Sequence, residues 1–317
     1  MQTTATLDFA PETAGFLEEA IDGLTQDPKT LPCKFFYDAR GSALFDQICE
    51  LDEYYPTRTE MGIMQAHARD MSALLGTECR LVEYGSGSSL KTRVLLDNAQ
   101  SLAAYVPMDI SREHLLRTAE GLARAYPHVP ILPVCADYTQ PFDLPEGRES
   151  RTVVYFPGST IGNFPPMQAR EFLARIAQVC GQGGGLLIGV DLKKSPAVLE
   201  PAYNDRDGVT AAFNLNLLTR MNREIGADFD LTQFAHHAFY NTLHGRIEMH
   251  LVSLCAQTVT VSRERVAFRA GERIHTESSY KYALDEFACL AESAGLTVRQ
   301  VWTDDNQMFS VQYLTVA

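Results

Sequence analysis

Between residues 79 and 192 short, nearly continuous apolar runs alternate with stretches whose apolar residues recur at helical spacing. The run Arg80 to Tyr84 stops at Gly85 and Gly87, and a helical pattern from Leu90 to Leu102 follows. The next run, AAYVPMDI, ends near Asp109; Ser111 then reads as an N-cap, with Glu113 in the first turn of a helix that Pro127 ends. PILPVCADY and RTVVYF are two further buried strands, Pro165 and Pro166 open a helix to about Cys180, and GGGLLIGVDL is the fifth strand. This alternation predicts a doubly wound α/β sheet with right-handed crossovers.

Beyond residue 193 the alternation breaks. One helical stretch, Val209 to Ile225, is followed by period-two segments, GRIEMHLVSL, TVTVSRERVAF and ERIHTESSYKY, which read as an antiparallel β insertion. A helix from Leu284 to Ala294 and two strands, TVRQVWTDD and FSVQYLTVA, close the chain. Their short link permits only an antiparallel pair. Upstream, Phe16, Ala20, Ile21 and Leu24 mark a helix, and further helices are expected over Ser42 to Glu50 and Thr59 to Leu75. The segment around them mixes aromatics with Asp, Arg and Glu, an expensive combination to bury unless the polar groups are partnered, so Tyr37 and Tyr54 are expected at a binding surface. Residues 1–60 and 193–283 are therefore assigned to a second, α+β substrate-binding lobe outside the sheet. Residues 61–192 and 284–317 form the core, with a pocket expected between the two.

A chain of 317 residues can bury a large core. Its net charge of −13 disfavours nucleic acid or an anionic membrane as partner, since both require cationic surface, and points to a small molecule. No apolar run approaches a membrane span and the start MQTTATLDFAPETAG lacks the features of a leader, so a cytoplasmic protein is expected. The seven cysteines are scattered, without a CxxC pair, and the histidines form no HExxH; neither a disulfide framework nor a metal site is expected.

The chemistry centres on EYGSGSSLKTR. Glycines there let the backbone turn sharply and approach a ligand, and Asp109, about 25 residues after Glu83, ends the next strand where an acid accepts hydrogen bonds from ribose hydroxyls. A bare glycine turn is also compatible with no ligand at all. GSGSS lacks the third glycine of the dinucleotide fingerprint, whereas the acid, the glycines and the terminal antiparallel hairpin resemble class I methyltransferases. A nicotinamide dehydrogenase is the weaker reading. Asp137 and Tyr138 end the following strand, where such a fold reads adenine, and Gly158, Ser159, Gly162 and Asn163 form the loop that faces a methyl acceptor.

Taken together, FYDARGSALFDQI with EYYPTR, EYGSGSSLKTR, YFPGSTIGNF, AYND with GVTAAFN, RIEMHL and HTESSYKY resemble the histidine-specific Nα-methyltransferase family of ergothioneine biosynthesis, over nearly the whole length. The resemblance implies that Tyr37, Gly85, Lys91, Asp109, Asp137 and Tyr138 hold S-adenosylmethionine. It implies that Tyr54, Asn163, Tyr203, Glu277 and Ser279 hold L-histidine, with Phe213 and Met249 lining its pocket. Glu277 and Ser279 stand two apart on a strand and so share a face, placing a carboxylate and a hydroxyl where the two imidazole nitrogens could be read. Ser278 between them is more polar than the family's pattern leads one to expect, which leaves an altered amino-acid preference open. The implied reaction is trimethylation of the α-amine by a monomeric enzyme, with Tyr37 or a water taking the proton. Transfer to another amino acid, and an S-adenosylmethionine-binding protein without turnover, are the alternatives.

Overall fold

The computed structural model describes residues 7–9, 13–87, 89–99, 101–145, 147, 149 and 151–316. In chain order the elements begin with β1 (Leu7–Phe9), α1 (Thr13–Thr25), β2 (Lys29–Thr30), α2 (Ala39–Glu50), α3 (Tyr55–Leu75), β3 (Cys79–Tyr84) and α4 (Leu90–Asn98). Then come β4 (Leu102–Asp109), α5 (Arg112–Ala125), β5 (Val134–Ala136), β6 (Arg151–Phe156), α6 (Pro166–Cys180) and β7 (Gly185–Asp191). A one-turn α7 (Pro196–Leu199) precedes α8 (Val209–Glu224), β8 (Phe234–Asn241), β9 (Arg246–Ser253), β10 (Gln257–Val261) and β11 (Glu264–Phe268). The chain closes with β12 (Arg273–Tyr280), α9 (Leu284–Glu292), β13 (Leu296–Thr303) and β14 (Phe309–Val316).

The chain divides into two compact units. The first contains the N-terminal strand, Pro56–Lys193 and Tyr280–Ala317; the second contains Pro11–Tyr55 and Lys194–Ser279.

The first unit is built on an eight-stranded sheet in the order β1-β5-β4-β3-β6-β7-β14-β13. Strands β1 and β3 to β7 pair in parallel, and β14 is antiparallel to both β7 and β13, as the short final link requires. Successive strand residues bury on opposite faces, and both faces are covered. Leu81, Val153 and Leu187 pack with Met64 and Met71 of α3, Leu95 of α4 and Leu122 of α5, while Val82, Val154 and Ile188 pack with Phe172 of α6 and Phe287 of α9. That two-sided burial is why these strands read as continuous apolar runs. Strand order reverses at β3, so the turn after Tyr84 opens at the switch point where α/β sheets present ligands.

The second unit carries a four-stranded sheet, β2-β12-β9-β8, and a separate hairpin, β10-β11. Strands β8 and β9 are antiparallel, whereas β2 joins β12 in parallel. Helix α8 buries Phe213, Leu217, Leu218 and Met221, and α2 packs beside it.

Several expectations change. Leu7–Phe9 adds a strand to the edge of the main sheet, beside β5, although the first 60 residues were expected outside it. The helix expected to end at Leu102 ends at Asn98, because Leu102 starts β4; those expected from Ser42 and Thr59 begin at Ala39 and Tyr55. TVTVSRERVAF, expected as part of an antiparallel insertion, forms the hairpin β10-β11 turning at Ser262, and the strand β8, FAHHAFYN, was not expected.

Candidate functional site

In the first unit the turn after β3 takes left-handed backbone at Gly85 (φ +71°) and Gly87 (φ +46°), where a side chain would be strained. The N–H groups of Gly85 and Ser86 donate to the Met108 carbonyl, 2.9 and 3.0 Å, which pins the turn against the end of β4. Asp109 completes that end: Oδ2 accepts the Gly87 N–H at 3.1 Å and Oδ1 the Ser111 N–H at 2.9 Å. Ser111 is the N-cap residue of α5, as expected, although its side chain makes no capping hydrogen bond and its N–H serves the turn instead. Burial raises the Asp109 carboxyl above its ordinary pKa, opposed by these N–H donors. Beneath the turn, the buried Glu83 accepts from the Thr92 and Tyr105 hydroxyls, and burial pushes it up to about 7.

Tyr138 stacks on Tyr84 with ring centroids 5.4 Å apart and planes 5° from parallel, and a Cβ on Gly85 would come to 3.9 Å from the Tyr138 ring. Asp137, buried at the end of β5, accepts the Thr139 N–H at 2.9 Å. Lys91 pairs with the wholly buried carboxylate of Glu60, a residue sequence reasoning missed. Glu60 also accepts the Gly158 N–H at 3.1 and 3.0 Å, and it occupies the space a side chain at Gly189 would need. The Lys91–Glu60 pair therefore ties the first turn of α4 to the loop after β6. Asn163 ends a 3₁₀ turn, Thr160–Asn163, in that same loop; Ser159 at its start accepts the Asp191 N–H at 2.8 Å. Gly85, Lys91, Asp109, Asp137, Tyr138 and Asn163 all belong to this unit.

The second unit gathers Tyr37, Tyr54, Tyr203, Phe213, Met249, Glu277 and Ser279. The ring of Tyr37 lies 5.8 Å from Phe213 and 5.7 Å from Phe45, and Phe45 lies 6.4 Å from Tyr54. Tyr54 and Tyr203 are 6.2 Å apart, and the Tyr203 hydroxyl donates to Ser279 Oγ at 2.9 Å. Burial first, then the neighbouring Tyr203, Cys49, Glu277 and Tyr37, raise the Tyr54 phenol well above its ordinary pKa, so it stays a neutral donor.

Local sequence explains how these side chains are held. Asp38, beside Tyr37, caps α2 through the Gly41 N–H (2.7 Å) and is gripped by Asn216 (2.9 Å) and Arg223 (2.6 Å). In AYND, Asn204 bonds both backbone groups of Ala238, and Asp205 caps α8 through the N–H groups of Val209 and Thr210, each at 2.8 Å. Tyr203 is thereby fixed between β8 and the start of α8. Ser278 bonds the His275 ring at 3.1 Å.

Among the described residues no group of three or more His, Cys, Asp or Glu is arranged to hold a metal ion, and no helix is long and apolar enough to cross a membrane.

A family model described as histidine-specific methyltransferase, SAM-dependent, matches residues 16–316. A histidine N-alpha-methyltransferase of Mycolicibacterium smegmatis is 44% identical over 288 residues, covering 89% of each chain. One of Mycobacterium tuberculosis is 43% identical over 306 residues, covering 93% of this chain and 94% of that one. Ergothioneine biosynthesis protein 1 of Neurospora crassa is 32% identical over 300 residues, covering 88% of this chain and 32% of that longer one.

Proposed function

Since the chain belongs to the histidine-specific, SAM-dependent methyltransferases, we propose that it trimethylates the α-amine of L-histidine to histidine betaine, hercynine, at the entry to ergothioneine biosynthesis. The observation that carries the acceptor assignment is the aromatic and hydroxyl cluster of Tyr54, Tyr203 and Ser279, with the Glu277 carboxylate acting on Tyr54.

When bound, S-adenosylmethionine supplies a sulfonium methyl group open to attack by a nitrogen lone pair. The first unit's residues fit it. Gly85 and Gly87 leave the turn's two glycine positions without a side chain to obstruct a ligand, Asp109 offers a half-buried carboxylate to ribose hydroxyls, Asp137 an acceptor for the adenine amine, and Tyr138 an aromatic wall. Lys91 and Tyr37 complete the proposed set.

On the acceptor side Glu277 accepts from one imidazole N–H and Ser279 serves the other nitrogen, so a guest without these groups would leave buried polar atoms unpaired. Asn163, Tyr203 and Tyr54 bind the amino-acid backbone groups through neutral donors, which avoids adding a cation. Phe213 and Met249 line the site. Methylation needs an uncharged amine, and desolvation in this aromatic setting lowers the amine's pKa. The proton leaves to a water, or to Tyr37 as its hydroxyl passes its own proton on to solvent, and the neighbouring rings favour the cationic dimethyl and trimethyl stages. We read the enzyme as a metal-free cytoplasmic monomer.

The test is formation of S-adenosylhomocysteine with each free amino acid in turn. Turnover confined to L-histidine supports the reading. Turnover with another amino acid transfers the same chemistry to that acceptor, and none at all leaves binding without catalysis.

A further inference from the structure

We infer that Asn214, His236 and Thr276 are positioning residues of the acceptor site, which together set the places of Tyr203, Met249 and Glu277. The inference rests on the acceptor assignment proposed above. Asn214 lies on α8 and is completely buried. Its amide donates to the His250 carbonyl at 3.0 Å and to His236 Nδ1 at 2.9 Å, and its Oδ1 accepts from the Thr276 hydroxyl at 2.8 Å. Both N–H groups and the carbonyl are thus engaged.

The tautomer of His236 follows from its partners. Nε2 lies 2.8 Å from the Tyr203 carbonyl, which can only accept, so Nε2 carries the proton and Nδ1 presents its lone pair to Asn214. Burial lowers the His236 pKa, in keeping with the neutral ring. The Thr276 hydroxyl also lies 3.1 Å from the Met249 carbonyl, sharing its one proton between that oxygen and Asn214.

The convergence suggests more than fold stability. Each end of the network stops on, or next to, a proposed acceptor residue. His236 holds the carbonyl of Tyr203, Thr276 holds that of Met249 and adjoins Glu277, and Asn214 adjoins Phe213. An apolar residue at 214 would satisfy the packing of α8. A fully satisfied polar network instead selects one arrangement of the segments it joins.

Kinetics with both substrates test this. Asn214→Leu, His236→Phe and Thr276→Val should raise KM for L-histidine about 10- to 100-fold, the range expected when a site is displaced by an ångström. KM for S-adenosylmethionine should stay within about twofold, because the network bonds to the backbone of Tyr203, Met249 and His250 and to none of the residues proposed to hold S-adenosylmethionine. Thr276→Ser keeps the hydroxyl and His236→Gln keeps one donor and one acceptor, so both should restore a near-native histidine KM. Folded Thr276→Val protein with unchanged histidine KM, or a parallel rise of both KM values, overturns the inference; Thr276→Val, nearly isosteric, decides it should Asn214→Leu not fold. Wild-type enzyme assayed alongside separates the two levels of the argument. If it uses another amino acid, the functional reading falls, and the network is scored on the KM for that acceptor by the same outcomes; if it turns over no amino acid, both fall.

Discussion

The Tyr203 hydroxyl donates to Ser279 Oγ across 2.9 Å, joining the AYND turn to the C-terminal half of β12. The two hydroxyls are one unit, since orienting Ser279 depends on the proton it receives. Tyr203→Phe and Ser279→Ala should each raise KM for L-histidine about tenfold, the loss of one buried hydrogen bond, and the double variant should fall clearly short of the product. Initial-rate kinetics on the four proteins measure the coupling.

Glu277 is the only carboxylate among the proposed acceptor residues. Glu277→Ala should lower kcat/KM for histidine on the order of 100-fold while changing that for apolar amino acids little, because it removes an acceptor that an imidazole N–H uses and an apolar side chain cannot. Competition assays read the ratio directly. Equal losses on all acceptors would assign Glu277 a merely structural part.

Asp109 is held by the Gly87 and Ser111 N–H groups. Asp109→Asn replaces an acceptor-only carboxylate by an amide and should weaken S-adenosylmethionine binding on the order of tenfold to a hundredfold. Isothermal titration without histidine isolates this effect.

Lys91 neutralises Glu60, whose side chain is wholly buried. Lys91→Met should destabilise the fold by about 3–5 kcal/mol, because it strands a buried charge, and adding Glu60→Gln should recover part of the loss. Urea unfolding of the three proteins checks this. A Lys91→Met protein of native stability but weak S-adenosylmethionine binding would make Lys91 a ligand contact alone.

Glu83 ionises near 4.5 in an unfolded chain and near 7 in the folded protein, where burial favours the neutral acid. Between those values the native state holds a proton that the unfolded state has lost, so this group's contribution to stability is full below about 4.5 and declines as pH rises to about 7. Glu83→Gln keeps an acceptor for Thr92 and Tyr105 and removes the titration. Its stability relative to wild type should therefore rise across that window, as thermal melts at a series of pH values would show.

Much of the architecture is written in local pattern. Pairs such as Leu81 and Val82 or Leu187 and Ile188 face opposite sides of a sheet covered on both, and only a buried parallel strand tolerates both being apolar. The glycine turn and Asp109 were legible for the same local reason. β8 was not, because His236 occupies an inward position and is made compatible with burial by Asn214 and the Tyr203 carbonyl, partners that only the fold brings near. Glu60 and Asn214 escaped for a like reason: a polar residue in a helix reads as solvent-facing until its buried partner is seen. Leu7–Phe9 is too short to declare itself, and its pairing with β5 is set by tertiary structure. Ser278 stood out as unusually polar beside Glu277, yet its hydroxyl is engaged with His275.

The central claim is that the α-nitrogen of histidine is the methyl acceptor and is carried to the quaternary stage. The most direct measurement is mass spectrometry with fragmentation, or NMR, on the product of L-histidine and excess S-adenosylmethionine. The account predicts three methyl groups on the α-nitrogen and an unmodified imidazole. Methyl groups on a ring nitrogen, or a monomethyl product that persists with enzyme and donor in excess, would contradict it.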